Sequence, residues 1–276
     1  MRVILGGFNV DERTLRELSR GSRRDLTPEV ISASYARISR DPRDVRRLRD
    51  EARLEVDRAR RSNSMIVFGL GHASVAEHAV FNFDIMDISR LAVEEVEHFR
   101  LASFTEKSQR YVRLGSDFAK PSEIYAAGFG DRFERLVRML AGAYEGFGDR
   151  IAAAGGEEAT AREDGRYLMP LATSTQFGMT VNARELEYMI SKLAAHPLDE
   201  LRELARRLAS TARKIAPSLI RYPEPTPYIA SIPAVREKIA AQARTSCKSE
   251  EGRVKLLDVT PEADLRLAAS LIFSSG

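Results

Sequence analysis

The sequence predicts an α/β chain of the α+β kind, with a small, mostly antiparallel sheet served by two groups of helices. Three observations carry that expectation. Residues 2–6 (RVILG) form a short apolar run, and in residues 79–89 Phe81, Phe83 and Ile85 alternate against Asn82 and Asp84 with the period of a half-buried strand. Most of the remaining chain carries helical spacing opened by recognisable caps. A chain of 276 residues at 43% hydrophobic content also buries a sizeable core without disulfides.

Taken in order, the strand at 2–6 is followed by Asp11, which caps the helix ERTLRELSR. Thr27, Pro28 and Glu29 open another helix, with proline at its first position. Asp41 and Pro42 break the chain before one long charged helix. A helix starts after Gly71, and the strand at 79–89 follows. Ser89 then opens a helix through RLAVEEVEHFRLAS, and residues 105–109 form a turn. Helices at 131–154 and 157–167 flank the Gly155-Gly156 break, and LATSTQFGMTV after Pro170 declares no type. Helices at 183–193 and 198–216 are interrupted at His196-Pro197, because proline disfavours helix in the residue before it.

Residues 1–221 make the main domain. The segment YPEPTPYIASIP, with four prolines, opens a linker and short helix over residues 222–252. Residues 253–276 repeat the style of the N-terminus: an apolar strand, a Thr-Pro cap, then an amphipathic helix. They read as the start of a second copy of the domain; the alternative is a strand and helix completing the same one.

A net charge of +3 suits anionic small molecules and nucleic acid alike. Residues 37–61 interleave both signs at helical spacing and lack interleaved aromatics, which favours a salt-bridged helix face over a nucleic-acid arm. The single cysteine, Cys247, allows neither an intrachain disulfide nor a cysteine zinc cage. His72, Glu77 and His78 invite a metal reading, but positions six apart on a helix diverge by about 120°, so no metal is expected. No apolar run reaches bilayer length and the N-terminus has no signal cleavage pattern, which predicts a cytoplasmic protein without a membrane partner.

The densest chemistry lies in HFRLASFTEKSQRY, residues 98–111. Hydroxyls, backbone N–H groups and arginine forks are the parts of phosphate sites; a solvated turn is the plainer alternative.

GHASVAEH at 71–78, ISR at 88–90 and HFRLASFTEKSQRY in this order resemble the ThyX family of flavin-dependent thymidylate synthases. That family carries GHxSxxEH, an ISR-type helix start and RHRxxSxxxxSxR. Arg166 with Pro170, TVNAREL around Asn182 and Arg184, and His196 with Arg202 are similar to its later motifs, so the likeness runs from about Arg2 to Pro217.

The resemblance implies reductive methylation of dUMP to dTMP, with methylenetetrahydrofolate as one-carbon donor and FAD reduced by NADPH. It implies a homotetramer with sites between subunits. Carried over by position, His72, Ser74, His98, Phe99, Arg100, Glu106, Asn182, Arg184 and Tyr188 are the flavin contacts. Glu95, Ser108, Gln109, Arg110, Arg166 and Lys192 hold dUMP, with Ser108, Arg110 and Lys192 the catalytic set. The scarcity of cysteine agrees, since this class uses no cysteine nucleophile.

The chain departs from the pattern at His98-Phe99-Arg100, where the family has Arg-His-Arg, and at Tyr188. The arginine that polarises the uracil falls on Leu193 counted from Asn182 and on Lys192 counted back from His196. These departures sustain a second expectation, a catalytically degenerate homologue acting as a structural or regulatory partner that binds nucleotide or flavin.

Overall fold

A computed structural model describes residues 1–21, 25–113, 115, 117–246 and 259–275. Its sheet is built from β1 (Arg2–Phe8), β2 (Val80–Ser89), β3 (Ala102–Glu106) and β4 (Ser174–Asn182), ordered β1-β2-β4-β3 and antiparallel throughout. The two inner strands, β2 and β4, set Phe81 opposite Val181, Phe83 opposite Met179 and Ile85 opposite Phe177, all on one buried face. Asn82, Asp84, Gln176 and Thr180 fill the other face, which is exposed. The expected period of two therefore holds along β2 as far as Met86, and β4 supplies the strand whose type the sequence left undeclared.

Helices cover the apolar face. α9 (Ala183–Ala194) and α10 (Asp199–Arg213) bury Leu186, Met189, Ile190, Leu201, Leu204 and Leu208 in one cluster with the sheet. Fully burying such a side chain stabilises by about 1.5–3 kcal/mol, so this layer dominates the energetics. A smaller layer joins α2 (Glu29–Ile38), α3 (Val45–Leu54) and α4 (Val56–Ser64) through Val30, Ala33, Ala52 and Ala59, whose short side chains let the helices approach closely. Glu29 ties the layers together. Its fully buried carboxylate accepts from Arg60 at 2.6 Å and from the backbone N–H and hydroxyl of Ser218 at 2.8 and 2.7 Å.

The caps follow the sequence. Asp11 accepts from the Thr14 N–H at the start of α1 (Glu12–Leu18), and Thr27 accepts from the Glu29 N–H while Pro28 takes helical dihedrals. The single long charged helix is corrected to two, α3 and α4. Glu55 leaves helical geometry at φ −122°, ψ 62° without a glycine or proline to announce it. Gly71, at φ 75°, turns the chain into a 3-10 segment, Ala73–His78.

A bulge in β2 sets up the site. Asp87 adopts φ 57°, between the pairs Met86 with Gln176 and Ile88 with Thr175. Its carboxylate takes a hydrogen bond from Arg2 at 2.8 Å, which holds it below the usual carboxylate range. Ile88 returns to the core and Ser89 becomes the cap of α5 (Arg90–Glu97), accepting from the Ala92 N–H at 3.1 Å. The Ser89 N–H and hydroxyl donate to Glu200 on α10 at 2.9 and 2.5 Å. α5 stops at Glu97, eight residues long rather than continuing to Ser103, because residues 102–106 pair with β4 instead. The turn expected at 105–109 correspondingly begins only after Glu106.

Farther along stand α6 (Ser122–Ala126), α7 (Gly130–Ala153) and α8 (Glu158–Gly165). Within the stretch expected to hold a linker and a short helix, α11 (Pro227–Ser246) starts on a proline and carries Pro233 inside. α12 (Ala263–Ser275) closes the described chain, and the strand expected at residues 254–258 lies outside the described residues. Two compact units result, Met1–Pro233 and Ala234–Gly276. Among the described residues no helix is long and apolar enough to cross a membrane.

Candidate functional site

Beyond Glu106 the chain stays clipped to β4 for one more residue, the Lys107 N–H donating to the Gln176 carbonyl at 3.0 Å. The Ser108 hydroxyl then accepts from the Arg110 N–H at 3.2 Å and the chain turns away. Against this turn the end of α8 brings Arg166, and the start of α5 brings Arg90. The result is a cleft of ≈ 150 Å³ lined by Arg90, Glu106, Lys107, Ser108, Gln109, Arg110 and Arg166.

Its cations are not equivalent. Arg90 is committed: Nη1 donates to both Glu106 oxygens at 2.7 and 2.8 Å, and Nη2 donates to Glu94 at 3.2 Å. Thr175 on β4 donates to the same Glu106 carboxylate at 2.8 Å, and both members of the pair are mostly buried. The Gln109 amide oxygen, oriented to satisfy both groups, also accepts from Arg90. Burial, with Glu106 and Glu94 nearby, pushes the Glu97 carboxyl up. Arg110 and Arg166 by contrast share Glu163 as their one acidic partner among the described residues, at 4.0 and 3.9 Å, and stay available to an anion.

A second group forms where the sequence departs from the family pattern. Tyr188 and Lys192 lie one turn apart on α9, with Lys192 Nζ 5.1 Å from the Tyr188 ring centre. The Phe99 ring stands edge-on to Tyr188, with centres 6.0 Å apart. Leu193 is 3% exposed in the core, so Lys192 is the member of the pair that reaches the surface. The preceding Glu187 accepts from the Arg221 and Tyr222 N–H groups, each at 2.9 Å, and burial pushes its carboxyl up.

A third group surrounds the 3-10 segment. Arg40 hydrogen-bonds His72 Nε2 at 3.0 Å, Arg184 pairs with Glu77, and His78 meets Tyr35 edge-on. His72 and His78 thus face different neighbours. Ser74, His98 and Arg100 are exposed, Asn182 accepts from the Glu185 N–H as the cap of α9, and Glu95 lies 3.8 Å from His196.

The structure therefore joins Glu106, Ser108, Gln109, Arg110 and Arg166 in one cleft, and Phe99, Tyr188 and Lys192 in one cluster. Glu106, expected among the flavin contacts, faces the cleft. Arg90, Thr175 and Glu163 were not singled out as site residues; Arg90 was readable as the residue that Ser89 caps, and Glu163 as lying one helical turn before Arg166.

A family model described as thymidylate synthase complementing protein matches residues 24–218. The chain belongs to this family. The matched region holds β2, β3, β4, α5, α9, α10 and the cleft; β1 precedes it and α11 follows it. The flavin-dependent thymidylate synthase of Saccharolobus solfataricus is 31% identical over 157 residues, covering 56% of this chain and 58% of that protein. That of Geobacter sulfurreducens is 32% identical over 160 residues, covering 56% and 66%. That of Clostridium tetani is 28% identical over 213 residues, covering 72% and 83%. The chain thus spans 58% of the length of the Saccharolobus relative, and the resemblance to the ThyX family is upheld at the level of the family.

Proposed function

We propose that the chain acts as a flavin-dependent thymidylate synthase, converting dUMP to dTMP with methylenetetrahydrofolate and NADPH in the cytoplasm. The observation that carries this reading is the cleft in which Arg110 and Arg166 converge beside Ser108, Lys107 and the buried Arg90–Glu106 pair. Paired guanidinium forks with a hydroxyl between them suit a nucleotide phosphate.

FAD is supported by donor chemistry: exposed His72, Ser74, Arg100 and Arg184 offer an imidazole, a hydroxyl and guanidinium groups suited to a pyrophosphate and a flavin edge. When bound, the flavin supplies the hydride. The protein's own part is to fix the phosphate with Arg110 and Arg166, to donate from Ser108, and to present the Lys192 ammonium to negative charge developing on the uracil. Tyr188 steadies that ammonium through its ring face. In this reading residues 1–221 form the flavin and nucleotide domain, residues 222–252 connect, and residues 253–276 begin a second copy, with homotetramer sites shared between subunits.

The second reading, a catalytically degenerate nucleotide- or flavin-binding partner, draws on Phe99, which is 9% exposed and packs on Tyr188. An apolar ring there supplies neither the charge nor the donor of the family's imidazole. The test is a visible spectrum of purified protein loaded with FAD, followed by NADPH oxidation and dTMP formation with and without dUMP. A colourless protein that cannot be loaded rejects the flavin reading. A yellow protein that makes no dTMP selects the degenerate partner.

A further inference from the structure

Arg110 and Arg166 come from different segments, the turn after β3 and the end of α8, yet both approach one oxygen of Glu163, at 4.0 and 3.9 Å. These separations exceed a hydrogen bond, so the contact is Coulombic and non-directional. The Glu163 side chain is 51% exposed. The acid that lines the cleft behaves oppositely, since Glu106 is 15% exposed and held at 2.7 Å by Arg90.

We propose that Glu163 is a competing anion that sets the affinity and charge selectivity of the cleft. This rests on reading the cleft as the nucleotide phosphate site. A phosphate dianion brings more charge and more acceptor oxygens than a carboxylate, so it displaces Glu163 from both arginines. A monoanion replacing a monoanion gains little, and chloride or a free carboxylate is therefore held off. Only the side chain needs to move. α8 itself is fastened to the turn by Arg162, which donates to the Tyr111 carbonyl at 3.2 Å.

The experiment is calorimetric titration of dUMP into the full chain, comparing wild type, Glu163→Gln, Glu163→Asp and Arg166→Ala at low and high salt. Glu163→Gln is expected to bind dUMP about three- to tenfold more tightly at low salt, as befits removal of two exposed charge contacts. That gain shrinks at high salt, and Glu163→Asp stays near wild type. A damaged fold weakens binding, so a gain cannot come from misfolding. If Arg166→Ala weakens binding but Glu163→Gln binds no better than wild type, the role of Glu163 is overturned while the phosphate reading stands. If Arg166→Ala leaves dUMP affinity unchanged, or wild type does not bind dUMP, both fall.

Discussion

Lys192 holds its ammonium 5.1 Å from the centre of the Tyr188 ring, one helical turn back along α9, while its neighbour Leu193 is sealed in the core. Of these two positions, the positive charge is therefore supplied by Lys192. Lys192→Ala is expected to lower turnover about a hundredfold, the usual cost of one transition-state donor, with little change in dUMP affinity. Lys192→Arg keeps turnover within about tenfold, since the charge is retained. Tritium release from ring-labelled dUMP measures both.

Arg166→Ala and Arg110→Ala are each expected to weaken dUMP binding about tenfold to a hundredfold, the range for hydrogen bonds to charged groups. Uridine lacks the phosphate and should be indifferent to both changes. Titrations with the two ligands side by side check this.

The Arg90–Glu106 pair is a stability element as well as a cleft wall. Arg90→Ala leaves a mostly buried carboxylate with Thr175 as its remaining side-chain donor, and is expected to cost about 3 kcal/mol in urea denaturation. Adding Glu106→Gln to that variant removes the stranded charge and should recover a large share of the loss.

Glu187 titrates against folding. Burial raises its carboxyl above the ordinary 4.5, so the stability this group contributes is complete below that pH. It is lost as the pH climbs from there through the raised folded value. Glu187→Gln keeps an acceptor for the Arg221 and Tyr222 N–H groups without the charge. It should raise the melting temperature by on the order of 2 °C at neutral pH and by nothing in acid. A melt series across pH that shows the same offset everywhere would contradict this.

Much of the fold was legible because its signals are local. Asp11, Thr27 and Ser89 announce helix starts in their own side chains, and Phe81, Phe83 and Ile85 announce a face. What escaped depends on distant partners. β3 lies in a run whose helical spacing continues through Ala102, and only pairing with β4 turns it into strand. β4 buries Phe177, Met179 and Val181 in alternation, but Gly178 and a leading cluster of hydroxyls blur its type. The break at Glu55 has no composition signal at all. In the site, Ser108 and Arg110 were readable from residue chemistry and Arg166 from the family resemblance. The commitment of Arg90 to Glu106 and the approach of Glu163 to Arg110 were not, because each joins separate segments of the chain.

The bulge at Asp87 acts as a parity device. Strands keep score in twos and helices in steps of about 100°, and the extra residue is where β2 changes its count before handing over to α5. Deleting it would advance the helix by one step, swinging Arg90 off Glu106 and turning Ser89 away from Glu200. The wiring of the cleft is thus indexed by one residue that does not line it, and a length change there is read out as a rotation of the cations.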